Sequence, residues 1–251
     1  MNPASRLNEL VNFFASANPN AAIKEAWQSY MGSTSTSLAE DEVLDVIQAV
    51  LAEIRAMEAK LNDIGAPASL YTDCVAQLRA AFSPTQLATA WAGHRQQMVN
   101  RATPLALEWA AWALGQFDED EIDEEAIKSL RVSLAEQEKL LSETNLPAGL
   151  RELLLRQTAA LQRSLNLYKI QGAAPLRKVV SDAVGELRTV PQELAVAVEA
   201  ADSNVKRALK QGMTLIGKVA EVADKGSKVF KFSKEVYELG ASTLNIFQKL
   251  S

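Results

Sequence analysis

Apolar side chains recur at alternating intervals of four and three residues along almost every segment of this 251-residue chain. That spacing places them on one face of an α-helix, and no run alternates over four to eight residues as a half-buried strand would. The sequence therefore predicts an all-α protein. In the clearest helix, which ends at Gly65, the apolar stripe consists of Val43, Ile47, Val50, Ile54, Met57, Leu61 and Ile64.

Prolines, glycines and charged runs divide the chain into eight to ten predicted helices, as in a multi-helix bundle or array. Hydrophobic residues make up 48% and charged residues 23% of the chain, which is ordinary for a globular protein and argues against a disordered one. An acidic run, 118–125, separates two halves. We predict an N-terminal helical subdomain over 1–120, a second helical subdomain over 121–202, and a basic amphipathic tail over 203–251 that forms a long C-terminal helix or helical hairpin.

The predicted tail carries a stripe without charge. From Val205 to Phe247 every position at the alternating four-three spacing is uncharged, and a row of mostly large residues runs beside a row of mostly small ones. Small residues at regular intervals let a second helix approach closely. We therefore predict docking through a surface that we call the tail seam, which consists of Leu209, Gly212, Ile216, Val219, Gly226, Phe230, Tyr237, Gly240, Leu244 and Phe247.

Lysines flank the tail seam. Residues 203–251 hold nine Lys and Arg against four acidic residues, a net charge of +5, whereas the other 202 residues have a net charge of −10. Opposite charge on the two parts indicates either that the tail folds back onto its own acidic body or that it meets an anionic partner. The predicted basic face consists of Lys218, Lys225, Lys228, Lys231 and Lys234.

Candidate catalytic and metal-binding residues are few. His94 is the only histidine, and Cys74, the only cysteine, lies on the apolar face of a predicted helix, where an inert buried thiol belongs. The acidic run 118–125 lacks the glycine and the spaced glutamate of a calcium loop, and neither a zinc motif nor a nucleotide-binding motif occurs. We therefore expect no cofactor and no metal site, and we name no catalytic residue. An active site assembled from carboxylates of different helices stays an open alternative.

Four tryptophans stand at helical spacings, at positions 27, 91, 109 and 112. Aromatic residues at such spacings are typical of a core, and a ligand pocket lined by them is the alternative. After Thr103-Pro104 the sequence predicts a helix whose apolar residues include Leu105, Trp109, Trp112 and Leu114. We expect all four indoles to lie in the core.

Two pieces of the chain, Asn18–Trp27 and Asn145–Val180, resemble segments of uncharacterised, short, all-helical bacterial proteins. The likeness lies in helix caps and in the spacing of leucines. It implies a bacterial origin, and it carries over neither an activity nor site residues.

Location and partners follow from the same patterns. The N-terminus lacks the layout of a signal peptide, and no window of about 18 uncharged apolar residues occurs, so we expect a cytoplasmic protein without a transmembrane segment.

We predict a non-enzymatic helical interaction protein, a scaffold, regulator or adaptor, that acts through helix–helix contacts with a protein partner or a second copy. The alternative is a membrane-active effector of bacterial defence or toxicity, peripheral to an anionic membrane surface, whose basic amphipathic tail is masked by an acidic body. Nucleic acid is a disfavoured partner, because no recognition motif is present.

Overall fold

The computed structural model describes residues 1–31, 40–189 and 203–225. Ten α-helices occur in these ranges, which confirms the all-α prediction, and the one extended pairing within them is an isolated bridge between Ala22 and Ala90. In chain order the helices are α1 (Pro3–Ser16), α2 (Ile23–Tyr30), α3 (Glu40–Asp63), α4 (Thr72–Ala81), α5 (Ala92–Val99), α6 (Ala102–Ala113), α7 (Glu124–Glu143), α8 (Ala148–Gln171), α9 (Ala174–Thr189) and α10 (Ser203–Lys225).

Local chemistry sets several of the helix ends. Asp123 caps α7, because its side-chain oxygen accepts a 3.2 Å hydrogen bond from the Glu125 backbone N–H. Acidic residues in the first turn of α7 face the positive end of the helix dipole. Gly65 and Gly172 follow α3 and α8 with φ of 70° and 61°, a left-handed conformation that glycine adopts without steric cost.

The chain forms two compact units. The first consists of residues 1–119 and 169–172, and the second consists of residues 120–168 and 173–251. The last three residues of α8 therefore belong to the first unit. α10 belongs to the same unit as α7 and α9.

An aromatic cluster forms the centre of the first unit. The ring of Phe14 packs edge to face against Trp27, Phe82 and Trp91, with centroid distances of 4.6, 5.3 and 5.1 Å. The Trp91 indole N–H donates a buried 2.7 Å hydrogen bond to the Phe14 carbonyl. Trp27 and Trp91 are fully buried, so the core prediction is confirmed for these two tryptophans.

α3 also contributes to this core. Its 24 residues span about 36 Å. The predicted stripe is buried from Val43 to Leu61, and Ile64, which lies beyond the last helical residue, is half-buried.

α7, α8, α9 and α10 share the core of the second unit, which contains two apolar clusters. The larger cluster includes Leu134, Leu176 and Ile216. The smaller cluster includes Leu154 and Leu209. Both clusters contain residues of α10, so this helix is part of the core.

Candidate interaction surface

α6 is apolar around most of its circumference. Its twelve residues include one charged side chain, Glu108. A helix of this composition usually lies in a core on all sides. In this fold one side of α6 is buried, and the other side faces solvent.

The solvent side of α6 combines large apolar residues with one carboxylate. Leu105 is 56% exposed, and Trp112, at 80%, is the most exposed large apolar side chain in the described residues. Glu108 is exposed between them, and Trp109 is half-buried beside them. Their spacings of three and four place them on one face, which we call the α6 surface: Leu105, Glu108, Trp109 and Trp112. Exposed apolar groups of this size mark contact sites on soluble proteins when they lie together.

Polar contacts fix the buried side of α6. The Thr103 hydroxyl donates a hydrogen bond to the Gln77 side-chain oxygen. The Asn2 amide donates a 2.9 Å hydrogen bond to the Ala111 carbonyl, and Cys74 Sγ lies 3.8 Å from the Thr103 carbonyl. The α6 surface is therefore held in place before any partner binds, which reduces the entropy lost on binding.

Of the apolar residues predicted for α6, the structure buries Leu114 and exposes most of the others. Leu105 and Trp112, which we predicted to be buried, face solvent, and Trp109 is only half-buried. Because both stripes of this helix are apolar, their periodicity could not identify the core side. The expectation that all four tryptophans lie in the core is wrong for Trp112. The stripe that is buried consists of Thr103, Leu107, Ala110 and Leu114.

The described part of the tail seam is covered by its own unit. Leu209, Gly212, Ile216 and Val219 lie on α10 and are all buried. α10 packs against α7 and α9 of the second unit. The other residues of the tail seam lie outside the described residues: Gly226, Phe230, Tyr237, Gly240, Leu244 and Phe247.

Gly212 marks a close approach between helices of the second unit. A Cβ atom at this position would lie 3.2 Å from Leu154 Cδ2 and 3.5 Å from Gln137 Nε2. Gln137 is fully buried, and its amide donates a 3.3 Å hydrogen bond to the Ala208 carbonyl of α10. The small residue therefore lets α10 approach its neighbours within the unit.

The predicted basic face is described at one side chain. Lys218 is exposed, and its Nζ donates a 3.1 Å hydrogen bond to Ser133 Oγ of α7. Lys218 thus lies on the solvent side of α10. Outside the described residues lie the Lys225 side chain, Lys228, Lys231 and Lys234.

Cys74 and His94 have separate surroundings. Cys74 is buried, and this burial raises the pKa of its thiol from 9.0 to about 12. The His94 ring lies 3.2 Å from the Gln86 side-chain oxygen. A thiol that keeps its proton at neutral pH is a poor nucleophile, which agrees with the inert buried cysteine that the sequence predicts.

Several residues of the acidic run 118–125 contribute to the fold. Asp118 Oδ1 accepts a 3.0 Å hydrogen bond from the Asn2 amide, and Asp123 caps α7. Within the described residues, no three His, Cys, Asp or Glu side chains are grouped so that they could hold a metal ion. None of the helices in the described ranges is both long enough and apolar enough to cross a membrane.

A buried ion pair in the first unit was not evident from the sequence. Arg6 and Glu53 are each 6% exposed, and Arg6 Nε lies 2.7 Å from Glu53 Oε1. Burial raises the pKa of the Glu53 carboxyl, and the Arg6 guanidinium opposes that shift. Glu119 Oε2 lies 3.4 Å from Arg6 Nη1, and a Cβ atom at Gly172 would lie only 2.6 Å from the same oxygen. The pair therefore lies in a tightly packed part of the unit.

An open groove of about 510 Å³ runs along α8 in the second unit. Leu155 is exposed in this groove. Its two arginines are engaged inside the unit, because Arg156 pairs with Glu186 and Arg151 donates a 2.8 Å hydrogen bond to the Thr144 carbonyl. The α6 surface, with its larger exposed side chain, is the better candidate for binding.

The chain matches no protein-family model, no curated protein and no solved structure. The resemblance to short all-helical bacterial proteins, and the bacterial origin that it implies, therefore stay predictions.

Proposed function

We propose that this protein is a non-enzymatic helical interaction protein, a scaffold, regulator or adaptor, that acts through helix–helix contacts. The observation that carries the proposal is the exposure of Trp112, at 80%, and of Leu105, at 56%, on one face of α6. Tryptophan is enriched at the energetic centres of protein interfaces, where its truncation costs about 2 kcal/mol or more. The exposed indole of Trp112 fits such a centre, because hydrogen bonds on the buried side of α6 hold the helix in place.

A second copy of this chain is the proposed partner. Leu105, Glu108 and Trp112 follow one another at intervals of three and four, the spacing at which one helix faces another in a helical pair. A cytoplasmic setting belongs to the proposal, since the one cysteine, Cys74, is a free thiol.

Light scattering of the full-length chain tests this function. We expect wild-type mass to exceed the 27.3 kDa of one chain and to rise with concentration. Trp112→Ser should keep the mass of one chain over the same range. Val132→Ser is the matched control, because Val132 is 59% exposed on α7 and lies outside the α6 surface, so this variant should behave like wild type. Equal masses for wild type and Trp112→Ser, with unchanged circular dichroism, would contradict the proposal.

As a second candidate we propose a membrane-active effector whose basic tail is masked by its own body. The make-up of α10 favours it. The apolar side of this helix is buried in the second unit, and Arg207, Lys210 and Lys218 are exposed. A basic amphipathic helix binds anionic lipid surfaces when its apolar side is released.

Flotation with anionic phospholipid vesicles at low ionic strength tests the second candidate. Gly212→Leu in the full-length chain places new atoms against Leu154 and should loosen α10, so the effector hypothesis predicts more vesicle-bound protein than for wild type. Gly217→Ala is the control, because a Cβ atom there meets nothing within 4 Å. Absence of vesicle binding by Gly212→Leu would remove this candidate.

A further inference from the structure

We propose that the α6 surface of one copy binds the C-terminal segment, residues 226–251, of a second copy in an antiparallel register. This inference rests on the proposed function and identifies the partner surface. Two independent features support it, which are the order of apolar and charged residues and the sign of their charges.

The α6 surface presents a carboxylate between two apolar side chains. Glu108 lies three residues after Leu105 and four residues before Trp112, and it is the only charged residue of α6. Leu105 and Trp112 are both mostly exposed. An antiparallel helix that complements this surface carries a cation between two apolar side chains. The cation lies four residues after the first apolar residue and three residues before the second.

A second carboxylate lies near the C-terminal end of α6. The Asn2 amide nitrogen donates both to the Ala111 carbonyl, at 2.9 Å, and to Asp118 Oδ1, at 3.0 Å. The Asp118 side chain lies 3.8 Å from the N-terminal ammonium of Met1 through Oδ1, and it is 51% exposed, which leaves part of the carboxylate open to a partner cation. The region around α6 thus favours a basic partner.

Residues 226–251 have the complementary order in the sequence. Lys234 follows Phe230 by four residues and precedes Tyr237 by three, so their predicted helical spacing mirrors that of the α6 surface. In an antiparallel pair of helices the facing residues come from the two rows of a heptad in reverse order. The resulting opposite pairs are Tyr237 with Leu105, Lys234 with Glu108, and Phe230 with Trp112.

Charge distinguishes this register from a parallel one. A parallel pair that brings Phe230 to Leu105 places Ser233, and not a lysine, opposite Glu108. The antiparallel register also brings Lys231 opposite Ala111, next to the Asp118 carboxylate. Opposite charges across an interface fix register and suppress wrong pairings.

Charge reversal in the full-length chain tests the register and the partner together. Glu108→Lys and Lys234→Glu each place like charges opposite one another, so each should weaken self-association by about five- to tenfold. An equimolar mixture of the two variants should associate like wild type, because each supplies the opposite charge that the other needs at both contacts. Arg207→Glu makes the same charge change as Lys234→Glu, but at an exposed position of α10, and it should leave association unchanged.

Sedimentation of these variants separates the outcomes. Restored association in the mixture supports the inference. If both single variants associate more strongly than wild type, the segment docks within one chain and its release frees the α6 surface, which overturns the second copy as the occupant. If Trp112→Ser abolishes association while the charge reversals do not change it, the register is wrong and the proposed function stands. Unchanged association in every variant overturns both.

Discussion

α6 and α10 both carry apolar stripes, but the two helices differ in how much of their apolar surface is buried. α10 separates its apolar residues from its charged residues, and its apolar side lies in the core of the second unit. α6 has one charged residue and apolar residues on two sides, and only one of those sides is covered. The difference teaches that a binding surface is better indicated by apolar residues that the unit does not cover than by the cleanest amphipathic pattern.

The largest expected difference in the free energy of unfolding comes from truncating one leucine on each helix. Leu209→Ala removes a side chain that is 2% exposed, and we expect a loss of about 2–5 kcal/mol in the free energy of unfolding. Leu105→Ala removes a side chain that is 56% exposed, and we expect a change within about 0.5 kcal/mol. Urea denaturation followed by circular dichroism measures both. Equal losses would show that the two leucines do not differ in burial.

Substitutions at two glycines of α10 should give a smaller difference in the free energy of unfolding. Gly212→Leu adds atoms where a Cβ is already 3.2 Å from Leu154 Cδ2, and we expect a loss of about 1–3 kcal/mol. Gly217→Ala meets no atom within 4 Å, so the higher helix propensity of alanine should stabilise the chain by about 0.5–1 kcal/mol. Thermal unfolding measures both variants. A stabilising Gly212→Leu substitution would contradict the close packing of α10.

Cys74 lies against the buried side of α6, so the reactivity of its thiol tests whether that side is covered. Its pKa is raised to about 12 by burial, whereas the unfolded thiol ionises near 9.0. The stability that this group contributes is therefore fully present below 9.0 and is lost as the pH rises from there toward 12. At about pH 8, maleimide should label the native chain much more slowly than the urea-unfolded chain, because little native thiolate is present. Equal labelling rates would mean that Cys74 is not covered.

Much of the fold could be predicted because its determinants are local. The stripe of α3 from Val43 to Leu61 follows from residues within one helix, and so does the cap that Asp123 provides. Helix period and capping depend on neighbours three or four residues away, which a single sequence displays directly.

The candidate site could not be predicted, because it depends on residues that are far apart in the chain. The buried pair of Arg6 and Glu53, which is not part of the α6 surface, also joins positions 47 residues apart without a local signal of that pairing. The solvent side of α6 is decided by distant contacts, such as that of Asn2 with Ala111. A helix with two apolar sides fits a core in either orientation, so its sequence does not reveal which side a partner meets.

Acrylamide quenching of tryptophan fluorescence, measured over a range of protein concentrations, tests most directly whether the α6 surface binds. Trp27 and Trp91 are buried and Trp109 is half-buried, so Trp112, at 80% exposure, should dominate the quenchable emission. We expect the quenchable fraction to fall as concentration rises and copies cover Trp112. Trp112→Ser should be quenched less than dilute wild type, with only the half-buried Trp109 left partly accessible, and its quenching should not change with concentration. A wild-type quenchable fraction that stays constant from the lowest to the highest concentration would contradict a binding role for α6.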